Sequence, residues 1–169
     1  MPHDGKWDAR KFAYFTGKLT GLPEDRRAET LELYEDIAEY VETRFSLKVY
    51  LPHKVSDPVA HKDWTPAQID QLDRRAVTMS SFVIAMVNDD SVGAGIEIEL
   101  AYHAAKPVFL LVEKDKLDAR LVSRLTRGNP TVAVIIGYTD INDMLEQLGD
   151  AIAETAQKYT RLPPALDLI

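Results

Sequence analysis

A chain of 169 residues that is 46% hydrophobic can bury a continuous core and hold a small-molecule site, and its size fits one domain over residues 1–169. A formal charge of −7 argues against a nucleic-acid polymer as partner, because that affinity comes largely from Lys and Arg neutralising phosphates. Without cysteine there is no disulfide framework, thiolate nucleophile or Cys-based metal site; with no apolar run near a membrane span and a start too polar for a signal peptide, a cytoplasmic location is expected.

In chain order, Phe12 to Thr16 reads as a short strand followed by the Gly- and Pro-punctuated loop GKLTGLPED. From about Glu24 to Phe45, Tyr34, Ile37, Ala38, Val41 and Phe45 recur at helical spacing in an otherwise charged stretch, which predicts an amphipathic helix. Leu47 to Leu51 reads as a second strand closed by Pro52, and residues 53–66 as an irregular functional loop. Thr65 and Pro66 then start a helix over Ala67 to Met79. FVIAMV (82–87), VFLLV (108–112) and a third run, Val132 to Ile136, are continuous apolar segments, the pattern of strands covered on both faces. One helical piece is expected around Leu117 to Leu125, and a final helix from about Ile141 to Tyr159 with Ile141, Met144, Leu145, Leu148, Ile152 and Tyr159 on one stripe. The tail RLPPALDLI is expected to leave the helix at Pro163 and dock on its own domain or a partner subunit. Five strands alternating with helices predict an α/β fold: a flavodoxin-like or Rossmann-like three-layer arrangement with a five-stranded parallel sheet.

Open parallel sheets bind ligands beyond the carboxyl ends of their strands, so the loops after Phe15, Leu51, Val87 and Val112 are expected to converge. Gly93 and Gly95 in SVGAGIEIEL let the backbone turn and approach a ligand at a helix start, although the full dinucleotide fingerprint is absent. Residues two apart on a helix point about 200° from one another, so Glu97 and Glu99 do not share a pocket face. Glu97, nearer the strand end and expected in the helix's first turn, is the functional candidate, against the plain alternative that both are surface acids favoured by the helix dipole. Asp73 lies four residues after Ile69 and three before Ala76, on or beside a buried stripe. Partial desolvation would keep it protonated as a general acid; the alternative is a structural carboxylate paired with an arginine. An ionised Glu97 with a protonated Asp73 is the pair that glycosyl transfer uses.

These segments together resemble the nucleoside 2-deoxyribosyltransferase superfamily, which includes nucleoside 5′-monophosphate N-glycosidases. The likeness runs in order through YFTG, the Asp73-to-Val87 stretch, SVGAGIEIELAYHAAKPVFLLV and SRLTRG at 123–128, and so covers most of the chain. It implies a flavodoxin-like fold, a homodimer with shared active sites, a nucleotide or nucleoside substrate, and no metal or organic cofactor. It also implies Glu97 as nucleophile, Asp73 assisting departure of the base, and Tyr14 as the sugar-proximal aromatic. Ser91 and Ser123 resemble the two serines that hold a 5′-phosphate in the monophosphate hydrolases, with Thr16, Gly17, Lys18 and Thr20 as the phosphate loop beside Gly93 and Gly95. Lys18 stands where that branch has a hydroxyl donor, Thr20 replaces an arginine, and EIE replaces the family's ELG.

The expected activity is hydrolysis of the N-glycosidic bond of a nucleoside or 2′-deoxynucleoside 5′-monophosphate through a covalent glycosyl-enzyme. The alternatives are base exchange on free deoxynucleosides and a non-catalytic nucleotide-binding module. His53 is expected to reach the base, and His61 and Trp64 to line or cover the site, with solvation or loop packing as the plain readings.

Overall fold

Side-chain alternation along buried strands decides how this chain layers. In β1 (Phe12–Thr16), Ala13 and Phe15 point to one face of a sheet while Tyr14 and Thr16 take the other. The computed structural model describes residues 12–57 and 59–161. After β1 come α1 (Glu24–Phe45), β2 (Lys48–Tyr50), α2 (Pro52–Val55), α3 (Pro66–Met79), β3 (Val83–Met86) and α4 (Val92–His103). β4 (Val108–Glu113), α5 (Lys114–Asp118), α6 (Arg124–Arg127), β5 (Val132–Tyr138) and α7 (Ile141–Arg161) complete the order. The five strands form one parallel sheet, β2-β1-β3-β4-β5, so the chain has the expected flavodoxin-like α/β three-layer fold.

Two cores follow from the alternation. On one face, Phe15, Ile84, Phe109 and Leu111 meet Tyr34, Ile37 and Val41 of α1 and Met144, Leu148 and Ile152 of α7. On the other, Tyr14, Val83, Ala85 and Leu110 meet Ala76 and Val77 of α3 and Ile98 and Ala101 of α4. The second face carries the site, because α3 and α4 lie side by side over it.

Three expectations are corrected. β5 is an edge strand: Ala133 and Ile135 are exposed while Ile136 and Tyr138 are buried, and on the second face α5 comes against it at Gly137, beside Leu117. The helical piece around Leu117 to Leu125 is two short helices, α5 and α6, interrupted where Arg120 takes a left-handed φ of 59°. The stretch after Pro52 is partly helical, with Pro52 at the first position of α2, where its missing N–H costs nothing. The side chain of Tyr159, the tail from residue 162 and the first eleven residues lie outside those described.

The helix that carries Asp73 is fixed at its start by a reciprocal cap. The Gln68 N–H donates to the Thr65 hydroxyl, and the Gln68 side chain accepts from the Thr65 N–H at 2.9 Å. Replacing Thr65 with Ala is expected to lower stability by about 1 kcal/mol in urea unfolding without changing the slope of the transition; no loss would show that the cap does not hold α3.

Candidate active site

The loops after β1, β2 and β3 surround a cavity of about 570 Å³ at the carboxyl end of the sheet, with α3 and the start of α4 as its remaining walls. The loop after β4 does not line it, contrary to expectation; Asn88 instead ties that loop to β3, accepting from the Glu113 N–H at 2.7 Å and donating to the Tyr138 hydroxyl at 2.7 Å. Thr16, Gly17, Lys18, Thr20, Asp73, Ser91, Gly93 and Glu97 all border the cavity. Tyr14 lies directly beneath, with no exposed surface.

Glu97 is the centre of this arrangement. Tyr14 donates its hydroxyl to Glu97 Oε1 at 2.8 Å and Thr16 donates to Oε2, so both carboxyl oxygens are held by residues two apart on one strand. The helix begins at Val92 with Ser91 as its cap, which places Glu97 in the second turn of α4 and not the first. The helix dipole, which acts mainly over the first turn, therefore does little for its ionisation. Although the residue keeps some surface, its carboxyl lies deep. Burial pushes it from an ordinary 4.5 up to about 7; the Thr16 and Tyr14 hydrogen bonds oppose that rise and the charge of Asp73 adds to it. Tyr14 in turn is driven well above the usual phenol range by burial and by the neighbouring acids Glu97 and Asp73.

Asp73 sits half-buried on the inner stripe of α3, between Ile69 and Ala76. Burial raises it from 3.8 to about 6, with Asp70 adding to the rise and the Tyr14 hydroxyl lowering it. Its Oδ1 is buried without a hydrogen-bond partner: Tyr14 has one proton to give and directs it to Glu97. Both acids are therefore shifted toward neutrality, each chiefly by burial.

The rim offers hydrogen-bond donors. Ser91 accepts from the Ala94 N–H at 3.2 Å, which leaves its own O–H to donate. The Gly95 N–H is spent on the Ser91 carbonyl, so at this helix start the N–H groups of Val92 and Gly93 have no partner within the helix. Neither Gly93 nor Gly95 has a positive φ, and no protein atom within 3.4 Å would meet an added Cβ at either, so their use is open space and not a tight turn. Gly17 is different: a Cβ there would stand 2.5 Å from the Tyr34 hydroxyl, which donates to the Lys18 carbonyl at 3.2 Å and fixes the loop. Lys18 is the one cation bordering the cavity among the described residues, against Asp73, Asp90 and Glu97.

Five residues expected at the site are not gathered in. His53 faces α1, its Nε2 3.1 Å from Glu35, and does not border the cavity. Gly95 and Ser123 border a second cavity of about 530 Å³ on the opposite flank of α4. His61 and Trp64 lie against each other, ring centroids 4.8 Å apart, away from the first cavity. Glu99 is exposed and turned outward, accepting from Asn129 at 2.9 Å.

The sequence reading missed the brace behind the site. Asp57 accepts from the N–H groups of Val59 and Ala60 at 2.7 and 2.9 Å and pairs with Arg27, which also donates to the Leu19 carbonyl at 3.4 Å. Burial works to raise Asp57, but these donors outweigh it and hold the group below its usual value. The Asp-Pro dipeptide at 57–58 was the available signal for this turn.

The burial of Glu97 predicts a pH dependence of stability. Between about pH 4.5 and 7 the unfolded chain releases the proton that folded Glu97 keeps, so stability falls as pH rises through that window, by about 3 kcal/mol in total. Glu97→Gln keeps the shape and is expected to be more stable than wild type at pH 8 by about 1–3 kcal/mol, with the two nearly equal at pH 4. A difference independent of pH in urea unfolding would contradict the assignment.

Comparison with known proteins agrees with this architecture. No family model matches the chain. Over 103 residues, 59% of this chain and 71% of the other, it is 29% identical to the protein named "Putative 2′-deoxynucleoside 5′-phosphate N-hydrolase 1" from Thermofilum pendens. Among solved structures, the CMP N-glycosidase BcmB of Clostridium botulinum superposes with a TM-score of 0.60 at 21% identity, covering 82% of this chain and 97% of that one. The solution structure of BlsM gives 0.67 at 23% identity, covering 92% and 96%. A conserved protein of Enterococcus faecalis gives 0.61 at 20%, covering 86% and 98%. At these identities the structures establish a shared fold, and the first relative adds likeness in sequence. The chain is thus similar in sequence to a protein named as a nucleotide N-hydrolase and similar in fold to a CMP N-glycosidase, which is consistent with the resemblance read from the motifs.

Proposed function

We propose that the protein hydrolyses the N-glycosidic bond of a nucleoside or 2′-deoxynucleoside 5′-monophosphate, releasing the free base and the sugar 5-phosphate. The observation that carries this reading is the buried Glu97 carboxyl, held through both oxygens at the wall of a nucleotide-sized cavity that it shares with a second raised carboxyl. A nucleotide N-hydrolase among its sequence relatives and a CMP N-glycosidase of the same fold support it.

In this mechanism the Glu97 carboxylate attacks C1′ through an oxocarbenium-like transition state while Asp73 gives its proton to the departing base. A carbon–oxygen bond forms to Glu97 and the bond from C1′ to the base nitrogen breaks. Water then attacks C1′, the Asp73 carboxylate takes its proton, and Glu97 leaves as a carboxylate. Tyr14 and Thr16 keep the Glu97 oxygens in place. The 5′-phosphate would meet Lys18, the Ser91 hydroxyl and the N–H groups of Val92 and Gly93. We assign a second phosphate-side serine, Ser123, to a partner subunit, because in its own chain it lies beyond α4. The same flank exposes Val92, Ile96 and Leu125, at 82%, 47% and 87%, an apolar set suited to a homodimer interface.

Attack needs one proton shared by the two acids, on Asp73 and not on Glu97. With the pair titrating near 6 and 7, kcat/KM is expected to be bell-shaped with its maximum between those values. Chromatography of free base from a panel of nucleoside 5′-monophosphates and free nucleosides, with and without an acceptor base, tests the function itself. Base released from monophosphates alone, without an acceptor, is expected, with Asp73→Asn slower by roughly 10²–10⁴-fold. Base exchange on unphosphorylated nucleosides would instead establish a transferase, and binding without cleavage a non-catalytic module.

A further inference from the structure

On and beside α3, the Tyr50 hydroxyl and Asp73 Oδ1 are buried with no hydrogen-bond partner among the described residues. One is a donor and the other an acceptor, and such groups cost stability unless a function keeps them. Tyr50 is the register partner of Tyr14 across the parallel pair β1 and β2, so both rings rise from the same sheet face at the same height. They stack with centroids 5.3 Å apart and planes 14° apart. Tyr14 reaches Glu97 from that stack, and Tyr50, on the edge strand, packs against the cluster that includes Ala76 and Val77 of α3, the helix that carries Asp73.

We propose that Tyr50 is a positioning residue for Asp73: its ring holds Tyr14 in line, and its O–H is the donor available to the Asp73 carboxylate once the proton has gone to the departing base. The inference rests on the catalytic reading of Asp73 given above. Tyr50 does not border the cavity, so it acts through Asp73 and not on the ligand. Burial, then the charges of Asp73 and Glu97, push the Tyr50 hydroxyl up to about 12, so it keeps its proton throughout. The other ionisable groups around Asp73 are Asp70, paired with Arg74 on the same helix, Tyr14 on β1, Glu97 on α4, and Lys18 and Asp90 across the cavity. None of these is a cation held against Asp73, which leaves its carboxylate dependent on neutral donors. Tyr14 donates its O–H to Glu97 at 2.8 Å, and although its hydroxyl also lies near enough to lower Asp73, one proton cannot serve both carboxylates. No proton moves to or from Tyr50 in this scheme; it donates a hydrogen bond that strengthens as Asp73 ionises.

The test is Tyr50→Phe, which keeps the stacked ring and removes only the hydroxyl. Carbon-13 carboxyl NMR follows the titration of Asp73 in Glu97→Gln, with and without Tyr50→Phe, so that one carboxyl of the pair titrates. The midpoint is expected to rise by roughly one pH unit when the hydroxyl is lost. In otherwise wild-type protein, kcat for base release is expected to fall roughly ten-fold with KM unchanged. The melting temperature of Tyr50→Phe should match wild type at pH 5 and fall below it at pH 8, because a raised folded midpoint costs stability only where Asp73 is ionised. An unchanged midpoint, or a melting deficit equal at both pH values, overturns the proposal by making the hydroxyl purely structural. A raised midpoint with unchanged kcat would leave the Tyr50–Asp73 link standing and count against the catalytic reading of Asp73.

Discussion

A carboxyl group taken out of water on α4 sets the terms for everything around it. Desolvation alone would hold Glu97 neutral, and the two hydroxyls from β1 are what bring its ionisation within reach of neutral pH. That requires a strand and a helix placed to within a hydrogen-bond length of each other. The sheet supplies the strand side, since Tyr14 and Thr16 share a face by alternation and β1 is flanked by β2 and β3. The helix side comes from Ser91, whose cap sets where α4 begins and therefore which turn Glu97 occupies. Asp73 enters the same field from α3, where its charge adds to the rise of Glu97 and of Tyr14.

The elements were legible where a physical pattern was strong. Continuous apolar runs gave β3 and β4, the 3.6-residue stripe gave α1 and α7, and Thr65-Pro66 gave the start of α3. The second face of β5 was misread because Val, Ala and Ile look alike on a covered strand and on an exposed edge; only the strand order reveals the edge. The grouping of Tyr14, Thr16, Asp73 and Glu97 came from the rule about strand ends combined with family likeness. The rise of Glu97 toward neutrality did not, because it depends on how deeply the carboxyl is buried, and spacing carries no depth. His53 was misplaced for a related reason: a residue after a strand end can face the cavity or the neighbouring helix, and Glu35 on α1 settles which. Tyr50 went unnoticed since an aromatic at the end of a strand is an ordinary core residue until its hydroxyl is seen to be unpartnered.

The departures from the family pattern sort by position. Glu99, where the motif has glycine, faces outward to Asn129 and His103 and leaves the cavity untouched. Lys18 and Thr20, by contrast, border the cavity, so they bear on which anion it accepts. Lys18 attracts an anionic group locally, while Asp90 and any ionised Asp73 or Glu97 repel it, so the phosphate proposed as ligand has to be seated on the Lys18 side. The Arg27–Asp57 brace then has a clear use: it ties the loop after β1 to the turn after α2, so that the cation and the cavity's far wall are held together.

The central claim is that Glu97 forms a bond to C1′. A 2′-fluoro nucleoside 5′-monophosphate slows loss of the sugar, since the fluorine destabilises the oxocarbenium-like state, and intact-protein mass spectrometry with peptide mapping can then locate the adduct. The account predicts one sugar phosphate per chain, on Glu97, appearing together with free base. Base released with no adduct, or an adduct on another residue, would contradict it.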